Sequence, residues 1–149
     1  MAFTKRCRTA TPSAFGLAIQ ALAFLAVAEN VSSSQQIAGF MNSGSTFMRR
    51  VMAPLVRAGL VEAREGRDGG YMLAKVADLI TVADVYRAMQ MSDPLSVGIL
   101  DSTTDCPNGQ AMRDAFDEMT TKAEKSVLDV YEQYTIADIV TRTTEFLHP

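Results

Sequence analysis

Cysteine and histidine are scarce in this chain of 149 residues: Cys7 and Cys106 of the first, His148 alone of the second. Two distant thiols make no disulfide framework, and no Cys/His spacing suits zinc. The sequence therefore predicts no metal and no cofactor, and it suits a reducing cytoplasm. Also missing is an apolar run long enough to span a bilayer; the best, residues 15–28, is short and broken by Gln20. With Lys5-Arg6-Cys7-Arg8 before it and Ala26-Val27-Ala28 at its end, that run imitates a secretory leader. Cleavage there would remove a helix that the downstream segment needs for its core, so the expectation is a cytoplasmic protein with no membrane partner. Three glycines between 65 and 70 are followed by neither Lys-Ser/Thr nor a dinucleotide pattern, which favours a tight turn over a phosphate cradle. Internal repeats and low-complexity linkers are absent.

What is present is an uneven charge. The net charge of −3 argues against nucleic acid until the chain is halved. Residues 1–75 carry nine Lys/Arg and four acids, a net +5; residues 76–149 carry five and thirteen, a net −8. A basic half joined to an acidic half places a phosphate-attracting surface at one end, the alternative being an imbalance of solvated charge.

The pattern of apolar residues predicts a mainly α fold with a small β-hairpin wing, a winged helix-turn-helix followed by a long dimerisation helix. A first helix, capped by Thr11 or Ser13 with Pro12 in its first turn, runs to about residue 29 and is apolar nearly all round. Ser32-Ser33-Ser34 caps a short second helix over 35–41, and Asn42-Ser43-Gly44 turns the chain. A third helix over 45–58 ends at Gly59. At about 100° per residue it puts Phe47, Met48, Val51, Met52 and Leu55 on one arc and Thr46, Arg49, Arg50, Ala53 and Arg57 on the other. Pro54 predicts a kink near its end. Strands over 60–64 and 71–74 flank the glycine-rich turn. Thr81 caps a helix over 82–90, 91–105 reads as an irregular crossing, and 108–134 reads as a long amphipathic helix. A helix that long without a covering element pairs with its own copy or with the first helix. Thr135 caps a last helix. The expected domains are 1–90, binding DNA, and 91–149, dimerising and sensing.

Ile37-Ala38, Phe47-Met48, Leu55, Ala58-Gly59-Leu60-Val61, Gly66, Gly69-Gly70-Tyr71, Leu73 and Ile80-Thr81-Val82-Ala83-Asp84-Val85 together resemble the Rrf family of winged-helix regulators, over residues 13 to about 140. The resemblance implies a homodimeric transcription factor, in most members a repressor, on a palindromic operator of double-stranded DNA, with two third helices in adjacent major grooves. Many members sense iron–sulfur status, nitric oxide or redox stress. Two departures stand out. Cluster-binding members carry three closely spaced cysteines where this chain has Cys106 alone, and a [2Fe–2S] centre needs about four ligands. The wing carries Glu65-Gly66 where the family commonly has Arg-Gly. Cys106-Pro107-Asn108-Gly109 resembles a Cys-Pro-x-Gly element of cluster-lacking members, some of them thiol-based sensors.

The candidate DNA contacts follow. Thr46, Arg49 and Arg50, near the front of the third helix, are placed for base edges. Arg57, Arg64, Arg67 and the Lys5-Arg6-Arg8 arm are placed for phosphates. For each arginine the plain alternative is a solvated surface charge. Cys106 is the candidate redox-sensing residue: if Pro107 is the first residue of the long helix, Cys106 stands at its cap, where the helix N-terminus favours a thiolate and Asp105 alongside opposes it. The leading expectation is a regulator, not an enzyme, switched by oxidation of Cys106 or by a small effector. A peroxidase-like thiol enzyme using Cys106 lacks a nearby histidine or arginine pair to activate it. A third reading is an adaptor that keeps the fold without binding DNA.

Overall fold

The computed structural model describes residues 12–147, so the basic arm, Cys7 and His148 lie outside the described residues. By its contacts the chain forms two units: one runs to Met91 and resumes at Glu132, and the other is Ser92–Tyr131. The sequence predicts one boundary near residue 90. The contacts draw two, because the last helix returns to the first unit.

In the first unit, helix α1 (Pro12–Val27) packs against three later helices and the hairpin. Ala18, Ala21 and Leu22 on it are fully buried, and its small residues let neighbouring elements approach closely. Helix α2 (Ser34–Phe40) begins with a capping box in which Ser33 accepts from the Gln36 amide and the Gln36 side chain accepts from the Ser33 amide. This Ser-x-x-Gln pattern satisfies two of the helix's orphan donors. Helix α3 (Ser45–Arg57) follows, passing through Pro54 without interruption. Its C-terminal turn closes on Gly59, whose φ of +73° is a conformation that costs glycine little.

Strands β1 (Val61–Arg64) and β2 (Gly70–Leu73) form the antiparallel hairpin, pairing Val61 with Leu73 and Arg64 with Gly70. The hairpin is anchored to the start of α2 by a two-way bridge. The Ser32 amide donates to the Tyr71 carbonyl at 3.0 Å, and the Tyr71 amide donates back to the Ser32 carbonyl at 2.8 Å. A single 3-10 turn (Ala77–Leu79) leads to α4 (Val82–Ala88), capped by a reciprocal Thr81–Asp84 box.

The core of this unit gathers Leu22, Ile37, Met48, Met52, Leu55, Ile80 and Ile136, all with essentially no exposed surface. Ile136 opens the last helix, α7 (Ile136–Leu147). Its amide donates to the Ile80 carbonyl at 2.9 Å, while the Val82 amide donates to the Tyr134 carbonyl at 2.8 Å. These bonds and the contact of α7 with α1 are why residues after 131 belong to the first unit.

In the second unit, α5 (Pro94–Asp101) packs on α6 (Gly109–Tyr131). The sequence predicts irregular chain where α5 stands. Asp93 explains the difference: its carboxylate accepts from the Leu95 and Ser96 amides and from the Ser96 hydroxyl, and Pro94 sits where a missing N–H costs nothing. The Ser96 hydroxyl and then its amide hold the Asp93 carboxyl below its ordinary value, against a small opposing effect of burial. Helix α6 begins at Gly109, so Pro107 is not its first residue and Cys106 is not its cap. The chain makes one more turn first, with the Gly109 amide donating to the Cys106 carbonyl at 2.9 Å and the Cys106 amide to the Thr103 carbonyl at 3.4 Å.

Candidate nucleic-acid interface

Helix α3 is sorted by face. Met48, Val51, Met52 and Leu55 are buried, and Thr46, Arg49, Arg50 and Arg57 are exposed. The sequence predicts Phe47 with the buried set, but 40% of its surface is exposed. The reason is angular: at about 100° per residue Phe47 lies at the edge of the buried arc, whose centre the other four already fill.

Arg49 leans to one flank, where its Nε donates to the hydroxyl of buried Ser34 at 3.2 Å. Nothing local in the sequence signals this contact, because fifteen residues separate the two. Beside it lies a concavity of about 650 Å³ lined by Ser33, Ser34, Gln35 and Arg49 on the helical side and by Arg64, Glu65, Arg67 and Tyr71 on the hairpin side. The structure thus brings Arg49, Arg64 and Arg67 around one hollow. Thr46, Arg50 and Arg57 do not line it and instead follow the outward face of α3.

Among the described residues none of Arg49, Arg50, Arg57, Arg64 and Arg67 forms an ion pair, whereas Arg87 pairs with Asp84 and Glu132, and Lys122 with Glu118. Five uncompensated guanidinium groups on α3 and the hairpin produce a positive field able to draw in a polyanion. Glu65 at the same hollow reduces it locally. Gly70 holds the hairpin close to α2: a Cβ there would lie 2.3 Å from the Ser32 carbonyl oxygen.

Cys106 is exposed and shares a shallow concavity in the second unit with Thr103, Thr104, Gln110 and Arg113. The Arg113 guanidinium donates to the Leu100 carbonyl at 3.3 Å. Among the described residues no three His, Cys, Asp or Glu side chains gather in a way that suits a metal ion. No described helix is long and apolar enough to cross a membrane.

A family model described as Rrf2, iron-dependent transcriptional regulator, matches residues 12–142. The protein aau3 of Rhizobium meliloti (strain 1021) is 31% identical over 112 residues, covering 75% of this chain and 71% of that protein. Among solved structures, T. potens IscR superposes with a TM-score of 0.67 at 24% identity, covering 94% of this chain and 92% of the other. CymR, the global cysteine regulator of B. subtilis, superposes with a TM-score of 0.64 at 22% identity, covering 89% and 97%. Against the iron of the family description, the described residues offer one thiol, Cys106, and no three His, Cys, Asp or Glu side chains placed together. The element order ends the first three helices in a hairpin wing, and with a family model matching residues 12–142 the chain belongs to the Rrf2 family of transcriptional regulators.

Proposed function

We propose that this regulator is a cytoplasmic homodimer that represses transcription from a palindromic operator. Thr46, Arg49 and Arg50 contact base edges, and Arg57, Arg64 and Arg67 hold phosphates. The observation that carries the reading is the sorting of α3, with an apolar stripe buried and unpaired arginines exposed on the other side. Pairing is supported by α6, where Met112 (45% exposed), Met119 (49%) and Val130 (50%) recur along the helix, leaving large apolar side chains in water within one chain.

The switch in this proposal is oxidation at Cys106, or a small effector bound in its neighbourhood. The thiol's support is its exposure and the Arg113 side chain lining the same concavity. A peroxide would convert the thiol to sulfenic acid and release water. The cluster-lacking Cys-Pro-x-Gly character of 106–109 belongs to the same proposal. Selection of bound fragments from a random DNA pool, followed by titration of the recovered operator with and without peroxide, tests it. Recovery of a two-fold symmetric sequence bound by two chains is the expected result; a bound monomer, or a binding curve indifferent to peroxide and to small effectors, removes the corresponding half.

A further inference from the structure

Phe47 is the one large apolar side chain among the exposed positions of α3, and it stands in that helix's first turn. It projects about 60° from Arg50 around the helix, on the flank away from the one where Arg49 reaches Ser34. The first turn of a recognition helix is where side chains meet base edges. A phenyl ring has neither donor nor acceptor, so it cannot satisfy a phosphate oxygen or a hydrogen-bonding base edge. The major groove presents one apolar group, the C5 methyl of thymine, and phenylalanine is among the side chains that contact it.

We propose that Phe47 is a specificity-determining residue that reads one thymine methyl in each operator half-site, next to the base pair met by Arg50. The inference rests on α3 being the recognition helix. It explains why a ring is left 40% exposed on a helix whose other exposed positions are polar or charged. The contact forms only when the groove is occupied, and it adds discrimination of T·A from the other pairs without a hydrogen bond.

The test uses the full-length protein and the operator it selects from a random pool. Each thymine of that operator is replaced in turn by uracil, which lacks only the methyl, and binding is titrated by fluorescence anisotropy for the wild type, Phe47→Ala and Phe47→Gln. At one thymine per half-site, uracil weakens wild-type binding about fourfold, as expected for about 0.8 kcal/mol per buried methyl-sized group. Both variants bind the thymine operator as the wild type binds the uracil operator, and neither responds to the replacement. Phe47→Gln keeps the outcome independent of any folding defect in Phe47→Ala. Equal sensitivity to uracil in wild type and variants, or no sensitive thymine at all, overturns the proposal while leaving α3 as the recognition helix. Failure of the wild type to select any consensus overturns both.

Discussion

Arg49 donates from its Nε to the Ser34 hydroxyl at 3.2 Å, which ties the third helix to the first turn of the second. The bond uses one of five guanidinium donors and leaves both Nη groups without a protein partner among the described residues. An arginine already held in place loses less freedom on binding, a saving on the order of 0.5–1.5 kcal/mol. Ser34→Ala is therefore expected to weaken operator binding by about two- to tenfold, with little change in thermal stability. Anisotropy titration alongside a melting curve checks this; equal affinities for Ser34→Ala and wild type would show that the tie has no part in recognition.

Gly70 has a φ of +155° and lies where an added Cβ would meet the Ser32 oxygen at 2.3 Å. Gly70→Ala must push the hairpin away from α2, breaking the Ser32–Tyr71 bridge. The expected loss is about 1–3 kcal/mol of stability in urea unfolding, together with weakened DNA binding as Arg64 and Arg67 shift relative to Arg49. A variant as stable as the wild type would place the hairpin's anchorage elsewhere.

Asp138 accepts from the Thr135 amide at 2.8 Å, and Thr135 accepts in return from the Asp138 amide at 3.1 Å. The amide bond first, the Thr135 side chain second and Arg142 as a lesser aid hold this carboxyl below its usual value of 3.8. A lowered folded-state value means that the contribution is complete above the unfolded value and is lost as pH falls through the folded one. Between about pH 6 and about pH 3 the wild type should lose more stability than Asp138→Asn, which has no charge to titrate. Parallel pH profiles for the two in urea unfolding would contradict this.

Most of the fold is legible in the sequence because the winged helix-turn-helix is written in local signals. The triple serine before α2, Gly59 after α3, the glycine-rich turn and the Thr81–Asp84 box each fix an element end by nearby chemistry. The differences have equally specific causes. Helix α5 is hidden because Pro94, Gly98 and several small polar residues read together as a break, whereas Pro94 in fact follows the Asp93 cap at the helix start. Cys106 is displaced from the helix cap because Pro107 also reads as a first helical residue, and only the Thr103–Cys106–Gly109 hydrogen bonds reveal the extra turn. Phe47 sits at the border of an arc, where a helical wheel cannot decide exposure. The Arg49–Ser34 contact is tertiary and has no sequence period. The return of α7 to the first unit depends on Ile136 and Ile80, which periodicity does not connect.

Oxidation supplies a further prediction. Cys106 is the described thiol and is exposed, so peroxide should change wild-type operator affinity by about tenfold or more, in the range of a ~1–3 kcal/mol coupling. Cys106→Ser should bind DNA normally and ignore peroxide, as mass spectrometry of the treated proteins reports on modification at residue 106. A Cys106→Ser protein that still responds would move the switch to another residue.

The most direct measurement is a salt-dependent titration of the selected operator with wild type, Arg50→Ala and Arg57→Ala. If the outward face of α3 reads DNA, Arg50→Ala costs about 1–3 kcal/mol and relaxes preference at one base pair per half-site, and Arg57→Ala weakens binding to all sequences and lowers the salt slope by about one per contact. Wild-type affinity and slope retained in both variants would contradict the account, since the exposed arginines of α3 would then touch neither base nor phosphate.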